Sequence, residues 1–256
     1  MNIYVAGAVW VLGIAALAAG VTILVHRYRS ADGDGNDAIA TVFGVIGGLH
    51  AVLMAFVLIS LFDTVTTVNE GSHTEANSLV AVYWASDALA EPARGQIQEL
   101  ARSYARTVTD QEWPSMREGA PVGPQGFALL ERMRSTIDGA AADTDWQQER
   151  KTEAASQLWN VYQARDARLT AAGNAGVSTV VWLALIVGSA LSIGVPYLFR
   201  GPKLATHVIL MASLAAAIAL LMFAIYQLQN PFSGGARVEP DAFTAAIDRF
   251  EASRAG

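Results

Sequence analysis

The sequence predicts an all-α polytopic membrane protein: four transmembrane helices in two hairpins, with a helical extramembrane insert between them. Two observations carry this. Residues 3–25, 38–62, 175–199 and 204–228 form four long runs without a single Asp, Glu, Lys or Arg. At ~1.5 Å rise per residue each is long enough to cross a ~30 Å hydrocarbon core, and buried helices of a soluble protein rarely reach this length without charge. The polar remainder repeats its apolar residues at helical spacing and shows no alternating strand pattern. The predicted divisions are 1–63, the first transmembrane hairpin; 64–174, a helical extramembrane domain; 175–228, the second hairpin; and 229–256, a tail with a short amphipathic helix.

Composition narrows the chemistry. The 256 residues carry 16% charged side chains and a net charge of −6, which argues against a basic nucleic-acid-binding surface. The chain has no cysteine, so disulfides, thiolate catalysis, Cys-ligated zinc and iron–sulfur clusters are excluded.

The first run has no Lys or Arg before it, and His26-Arg27-Tyr28-Arg29 follows it in place of a small-residue cleavage site. It reads as a retained span rather than a leader. The turn to the second run is rich in Gly, Asp and Asn, and Arg200-Gly201-Pro202-Lys203 joins the third to the fourth. Tyr4, Trp10, Trp182, Tyr197 and Tyr226 mostly fall near span ends, where interfacial aromatics sit. Pro196 reads as a terminal kink.

The insert carries four apolar stripes: Leu79, Val82, Tyr83, Ser86 and Leu89; Ile97, Leu100, Ala101, Tyr104 and Val108; Phe127, Leu130, Met133 and Ile137; Ala154, Leu158, Val161, Tyr162 and Leu169. Breaks are expected at Glu91-Pro92, at Glu112-Trp113-Pro114 (a helix terminator with a packed indole) and across residues 119–126. The bundle is expected to continue directly into spans two and three. In the tail, Glu239-Pro240-Asp241 opens a helix with Phe243, Ile247 and Phe250 on one face, which needs a partner in the insert or at the membrane surface.

Span two holds the deepest ionisable side chain, His50. Gly47, His50, Met54, Val57 and Leu61 share one helical face and are candidates to line a pore, against the plainer reading of helix packing. Gly44 and Gly48 form a small-xxx-small pair that permits close helix approach. Beyond the span, Asp63, Glu70, His73, Glu75 and Asn77 are candidates for polar contacts. Glu70 and His73 make half of a carboxylate-bridged dimetal pattern, but the second Glu-x-x-His is missing, so no metal is expected. There is no phosphate loop, Gly-x-Ser-x-Gly or His-Glu-x-x-His motif, so neither catalytic residues nor a cofactor are expected.

Arg27, Arg29, Arg200 and Lys203 sit against span ends at the two hairpin turns. By the excess of positive charge on cytoplasmic flanks they place those turns in the cytoplasm, with the insert and termini extracytoplasmic. Their second role would be to attract anions or anionic lipid heads.

Several stretches resemble a bacterial membrane family described as bestrophin-like: Glu75-Ala76-Asn77-Ser78-Leu79-Val80-Ala81-Val82-Tyr83, residues 100–104 leading to Glu112-Trp113, Asn230-Pro231-Phe232-Ser233-Gly234, and Val238-Glu239-Pro240-Asp241-Ala242-Phe243. The resemblance covers roughly residues 5–250. It implies kinship with pentameric anion channels, hence a homo-oligomer in the lipid bilayer of the inner membrane with span two around the axis. It also implies a cytosolic insert, opposite to the charge reading. Neither the aromatic and aliphatic pore neck of bestrophins nor their acidic calcium clasp is recognisable here. A membrane-anchored sensor or accessory subunit, its insert binding a partner or ligand, is the competing reading.

Overall fold

The computed structural model describes residues 3–28, 36–198 and 204–255. Arg29, Arg200 and Lys203 lie outside the described residues. Among the described residues nine α-helices follow in order: α1 Ile3–Tyr28, α2 Asn36–Ala85, α3 Ala93–Thr107, α4 Trp113–Glu118, α5 Gln125–Gly139, α6 Asp145–Gly173, α7 Thr179–Gly194, α8 Leu204–Leu228 and α9 Asp241–Ala255. No strand occurs among them. The chain divides into two compact units, Met1–Asp63 with Gly176–Gln229, and Thr64–Ala175 with Asn230–Gly256.

The first unit contains α1, the first half of α2, α7 and α8. Four helical segments among the described residues are long and apolar enough to cross a membrane. Their outer faces expose Leu12, Leu17, Leu183, Ile209 and Leu220, as lipid contact requires. α1 lies closely along α8: a Cβ on Gly7 would fall 2.7 Å from the Phe223 ring. The Thr22 hydroxyl donates to the Ala18 carbonyl (2.8 Å), and the Tyr197 phenol donates to the same carbonyl (2.9 Å), so neither hydroxyl faces hydrocarbon unbonded. Met54, Leu61, Leu185 and Ile225 form the buried centre of α2, α7 and α8. Pro196 ends α7 in a 3₁₀ turn, Val195–Leu198.

The second unit has the core of a water-soluble domain. Its largest fully buried side chains include Trp113, Tyr104, Phe232, Phe243, Phe250, Leu79 and Leu130. Thr144 and Gln147 close a reciprocal capping box at the start of α6. The tail packs on the insert: Tyr83 stacks on Phe250 at 4.7 Å, and the Trp113 indole donates to the Val238 carbonyl (3.1 Å). The Asn230 side chain accepts from the Phe232 amide (2.8 Å), and Gly234 takes φ of +82°, which turns the chain at the start of the tail.

Three local expectations are corrected. Glu112-Trp113-Pro114 does not terminate a helix. Pro114 lacks the N–H that would bond to Asp110, and its ring crowds that carbonyl, so the helix widens into a π turn, Val108–Glu112, and continues as α4. Span three is not continuous with the insert: α6 ends at Gly173, Gly176 takes φ of +117°, and Ser178 caps a new helix. Phe127 is exposed rather than in the core, with its ring edge on Tyr162 at 6.1 Å.

Phe243 is fully buried and touches the Trp113 ring. Phe243→Ala is expected to destabilise the protein by about 3–5 kcal/mol, read as a lower thermal midpoint in detergent. A midpoint within error of the parent would contradict this packing.

Candidate functional site

Two polar constructions stand out, one in each unit. In the membrane unit, the stripe Gly47, His50, Met54, Val57 and Leu61 occupies the inward face of α2. His50, Met54 and Leu61 are buried, and Gly47 and Val57 are half-buried. The apolar members pack with Leu185, Val181, Trp182, Leu221 and Ile225 of α7 and α8. His50 Nε2 lies 3.0 Å from the Ser189 hydroxyl on α7. The ring lies so close against Gly188 that a Cβ there would overlap Nδ1. The outward face of α2 is a second stripe, Val45, Leu49, Val52, Phe56 and Ile59, exposed throughout and spaced alternately four and three residues apart. Such spacing follows a heptad, the pattern of helices that associate along a seam.

Of the polar candidates past the span, Asp63, Glu70 and His73 are exposed. No group of three or more His, Asp or Glu suited to a metal occurs among the described residues. Asn77 accepts from the Arg249 guanidinium (3.0 Å), which fastens α9 to α2. Arg27 is exposed at the end of α1.

Glu75 is fully buried at the centre of the insert, and it is one pole of an ionic cluster. Arg168 of α6 grips its carboxylate through Nε (2.8 Å) and Nη2 (2.9 Å), and the Tyr104 phenol donates to Oε1 (2.5 Å). The same Arg168 Nη2 reaches Glu112 Oε2 (2.8 Å), and Arg165 Nη2 reaches Glu112 Oε1 (2.5 Å). The Arg168 guanidinium lies over the rings of Trp113 (5.5 Å) and Phe243 (5.7 Å). Two carboxylates and two guanidiniums thus balance in a place from which water is excluded. Isolated burial of any one of them would cost several kcal/mol. The π turn aims Glu112 inward, and α5 brings Gly126 against it: a Cβ at 126 would overlap the carboxylate and fall 3.0 Å from Arg165. A larger residue there would displace the ion pair.

The electrostatics follow from this packing. Burial opposes the charge on Arg168, but the Glu75 carboxylate, with Tyr104 and Glu112 behind it, raises the guanidinium above its ordinary range. Burial, and then the Glu75 charge, hold the Tyr104 phenol well above its usual value. The cluster has no open face for a substrate. Its chemistry is cohesive: it ties α2, α3, the π turn, α6 and the tail at one point.

The sequence alone offers Glu75 as a polar candidate, Tyr104 as part of an apolar stripe and Glu112 as part of a break, and it does not join them to Arg165 or Arg168. The available signal is their register. Leu158, Val161, Arg165 and Arg168 continue one apolar stripe of α6, and a charge in that register must be paired.

Removing one member leaves the others buried and uncompensated. Arg168→Met is expected to cost about 3–5 kcal/mol, and Gly126→Ala to lower the thermal midpoint because its Cβ would push the Glu112 carboxylate off its Arg165 partner; a parent-like midpoint in both would contradict the cluster. Tyr104 supplies a pH signature. A phenol whose folded value is raised lends stability that is present below the unfolded value of about 10 and is lost as pH rises through the folded value. Thermal midpoints are therefore expected to fall at alkaline pH, and Tyr104→Phe to flatten that fall. A slope unchanged by the substitution would assign it elsewhere.

Comparison with known proteins fits this architecture. The bestrophin-like domain family matches residues 12–243. No curated protein sequence matches the chain. Among solved structures, a variant of a bacterial bestrophin homologue from Klebsiella pneumoniae is similar at a TM-score of 0.72 and 12% identity, over 97% of this chain and 98% of that one. A second variant of that homologue gives 0.71 and 10%, with the same coverage. A variant described as a membrane protein gives 0.73 and 12%, over 94% of this chain and 96% of that one. These likenesses establish the fold, and with four membrane-length helices and a family match over nearly its whole length, the chain is a membrane protein that belongs to the bestrophin-like family.

Proposed function

We propose that the chain forms a homo-oligomeric, anion-permeable channel in the inner membrane of a bacterium. The observation that carries this is the likeness to a bacterial bestrophin homologue along almost the full length of both chains, joined to family membership. The outward stripe of α2 supports it. Val45, Leu49, Val52, Phe56 and Ile59 stay exposed, outside the protomer's own core among the described residues, and follow the spacing of a helix seam. In a ring of copies, this face, rather than the inward-facing Gly47, His50, Met54, Val57 and Leu61, would line or border the axis. Asp63, Glu70 and His73 continue past it as exposed polar side chains.

In this reading the insert and termini lie in the cytosol, as in bestrophins, against the charge count at Arg27, Arg29, Arg200 and Lys203. The chain has no native cysteine, so single-cysteine labelling in intact cells separates the two. Gly33→Cys is expected to react with an impermeant maleimide from outside. Reaction only after permeabilisation would restore the charge reading.

The test of function is joint. Purified protein is expected to give rings by cryo-electron microscopy in nanodiscs and to pass chloride in liposomes, with Phe56→Ala changing the flux more than Val57→Ala. Monomers without flux would move the assignment to a membrane-anchored sensor or accessory subunit.

A further inference from the structure

The centre of the 38–62 run is joined to α7 by a contact that pairs one imidazole nitrogen and leaves the other without a hydrogen-bond partner. His50 is 5% exposed, and its polar partner among the described residues is the Ser189 hydroxyl, 3.0 Å from Nε2. Nδ1 is buried and has no hydrogen-bond partner there. It rests on the backbone of Gly188, where a Cβ would overlap it. With the proton on Nε2, that nitrogen donates to Ser189, and the bare Nδ1 lone pair faces the Gly188 Cα–H, a weak but acceptable contact. A second proton on Nδ1 would point at the α7 backbone with no acceptor in reach.

The surroundings offer the charge no help. From α7 the ring faces Gly188 and Ser189, with Ser192 a turn away, its own hydroxyl buried and unpartnered. α8 enters the adjoining apolar cluster through Leu221, Met222 and Ile225. None of these side chains is charged or titratable. An imidazolium at this depth is costly unless hydrated, and hydration requires the ring to leave Gly188. We infer that the His50–Gly188–Ser189 contact is an acid-sensitive joint between α2 and α7: closed around a neutral imidazole, and released when His50 takes up a proton during a transient opening. Gly188 is small because the ring sits there, and Ser189 and the bare nitrogen together select the neutral form. Imidazole is suited to this role because its intrinsic titration falls between pH 5 and 8.

The absence of native cysteine permits a direct measurement. The full chain carrying Ala51→Cys and Ala190→Cys, both at exposed positions, is spin-labelled, reconstituted in liposomes and measured by pulsed electron resonance at pH 8 and pH 5. A short α2–α7 distance is expected at pH 8, with a longer component growing several-fold at pH 5. His50→Gln should remove the pH dependence. Gly188→Ala, which denies the ring its seat, should give the long component already at pH 8, as should Ser189→Ala, which removes the Nε2 partner. Identical distributions at the two pH values, or a change that persists in His50→Gln, would overturn the joint. So would Ser189→Ala and Gly188→Ala both retaining the short distance alone at pH 8. The distance does not depend on conduction, so this result and the flux test succeed or fail separately.

Discussion

The insert depends on one arginine. Arg168 touches Glu75, Glu112, Trp113, Phe243 and Met116 at once, so it fixes the mutual position of α2, the π turn, α4, α6 and the tail. Its contribution lies in geometry more than in energy. A well-packed hydrophobic group of similar size can match a buried ion pair in stability, but it does not demand a bidentate carboxylate on one side and ring faces on the other. The surrounding peculiarities follow from that demand. Glu112 must turn inward, which the π turn accomplishes; α5 must approach without a side chain, which Gly126 accomplishes; and α9 must deliver Phe243, which the Asn230 turn accomplishes.

The two units meet the same problem, polar groups without water, by different means. In the insert the groups are ionised and cancel one another. Among the described residues of the membrane unit the buried polar groups are neutral: the Thr22 and Tyr197 hydroxyls donate to the Ala18 carbonyl, and the imidazole of His50 meets the Ser189 hydroxyl. A balanced ion cluster tolerates no loss of a member. A neutral pair tolerates no gain of a proton. The first therefore suits a rigid platform and the second a movable contact.

The four spans are legible in the sequence because a helix that long without charge is at home in little besides hydrocarbon. The stripes of the insert are legible because burial selects every third or fourth residue, and the face of the tail helix, Phe243, Ile247 and Phe250, for the same reason. What escapes is pairing across distance. Glu75 and Arg168 are 93 positions apart, and nothing in either neighbourhood names the other. The π turn escapes because Pro114 signals a break, whereas the chain accommodates its ring by widening and stays helical. The inward stripe of span two is visible as a stripe. Which side it faces is not, since both faces of that helix are apolar and lipid, a neighbouring helix or a pore axis would each accept them.

The separation of Glu75 and Arg168 by 93 positions also constrains the order of assembly. During synthesis the carboxylate is made long before its cation. A compact core that closed over Glu75 before α6 existed would trap a bare charge, so premature collapse is penalised. The rings of Phe232 and Phe243 arrive later still, after the fourth apolar run has been made. The insert is thus a domain whose interior can be completed only once the membrane segment interrupting its sequence has emerged, which makes successful folding of the soluble part a report that the whole set of spans has been delivered.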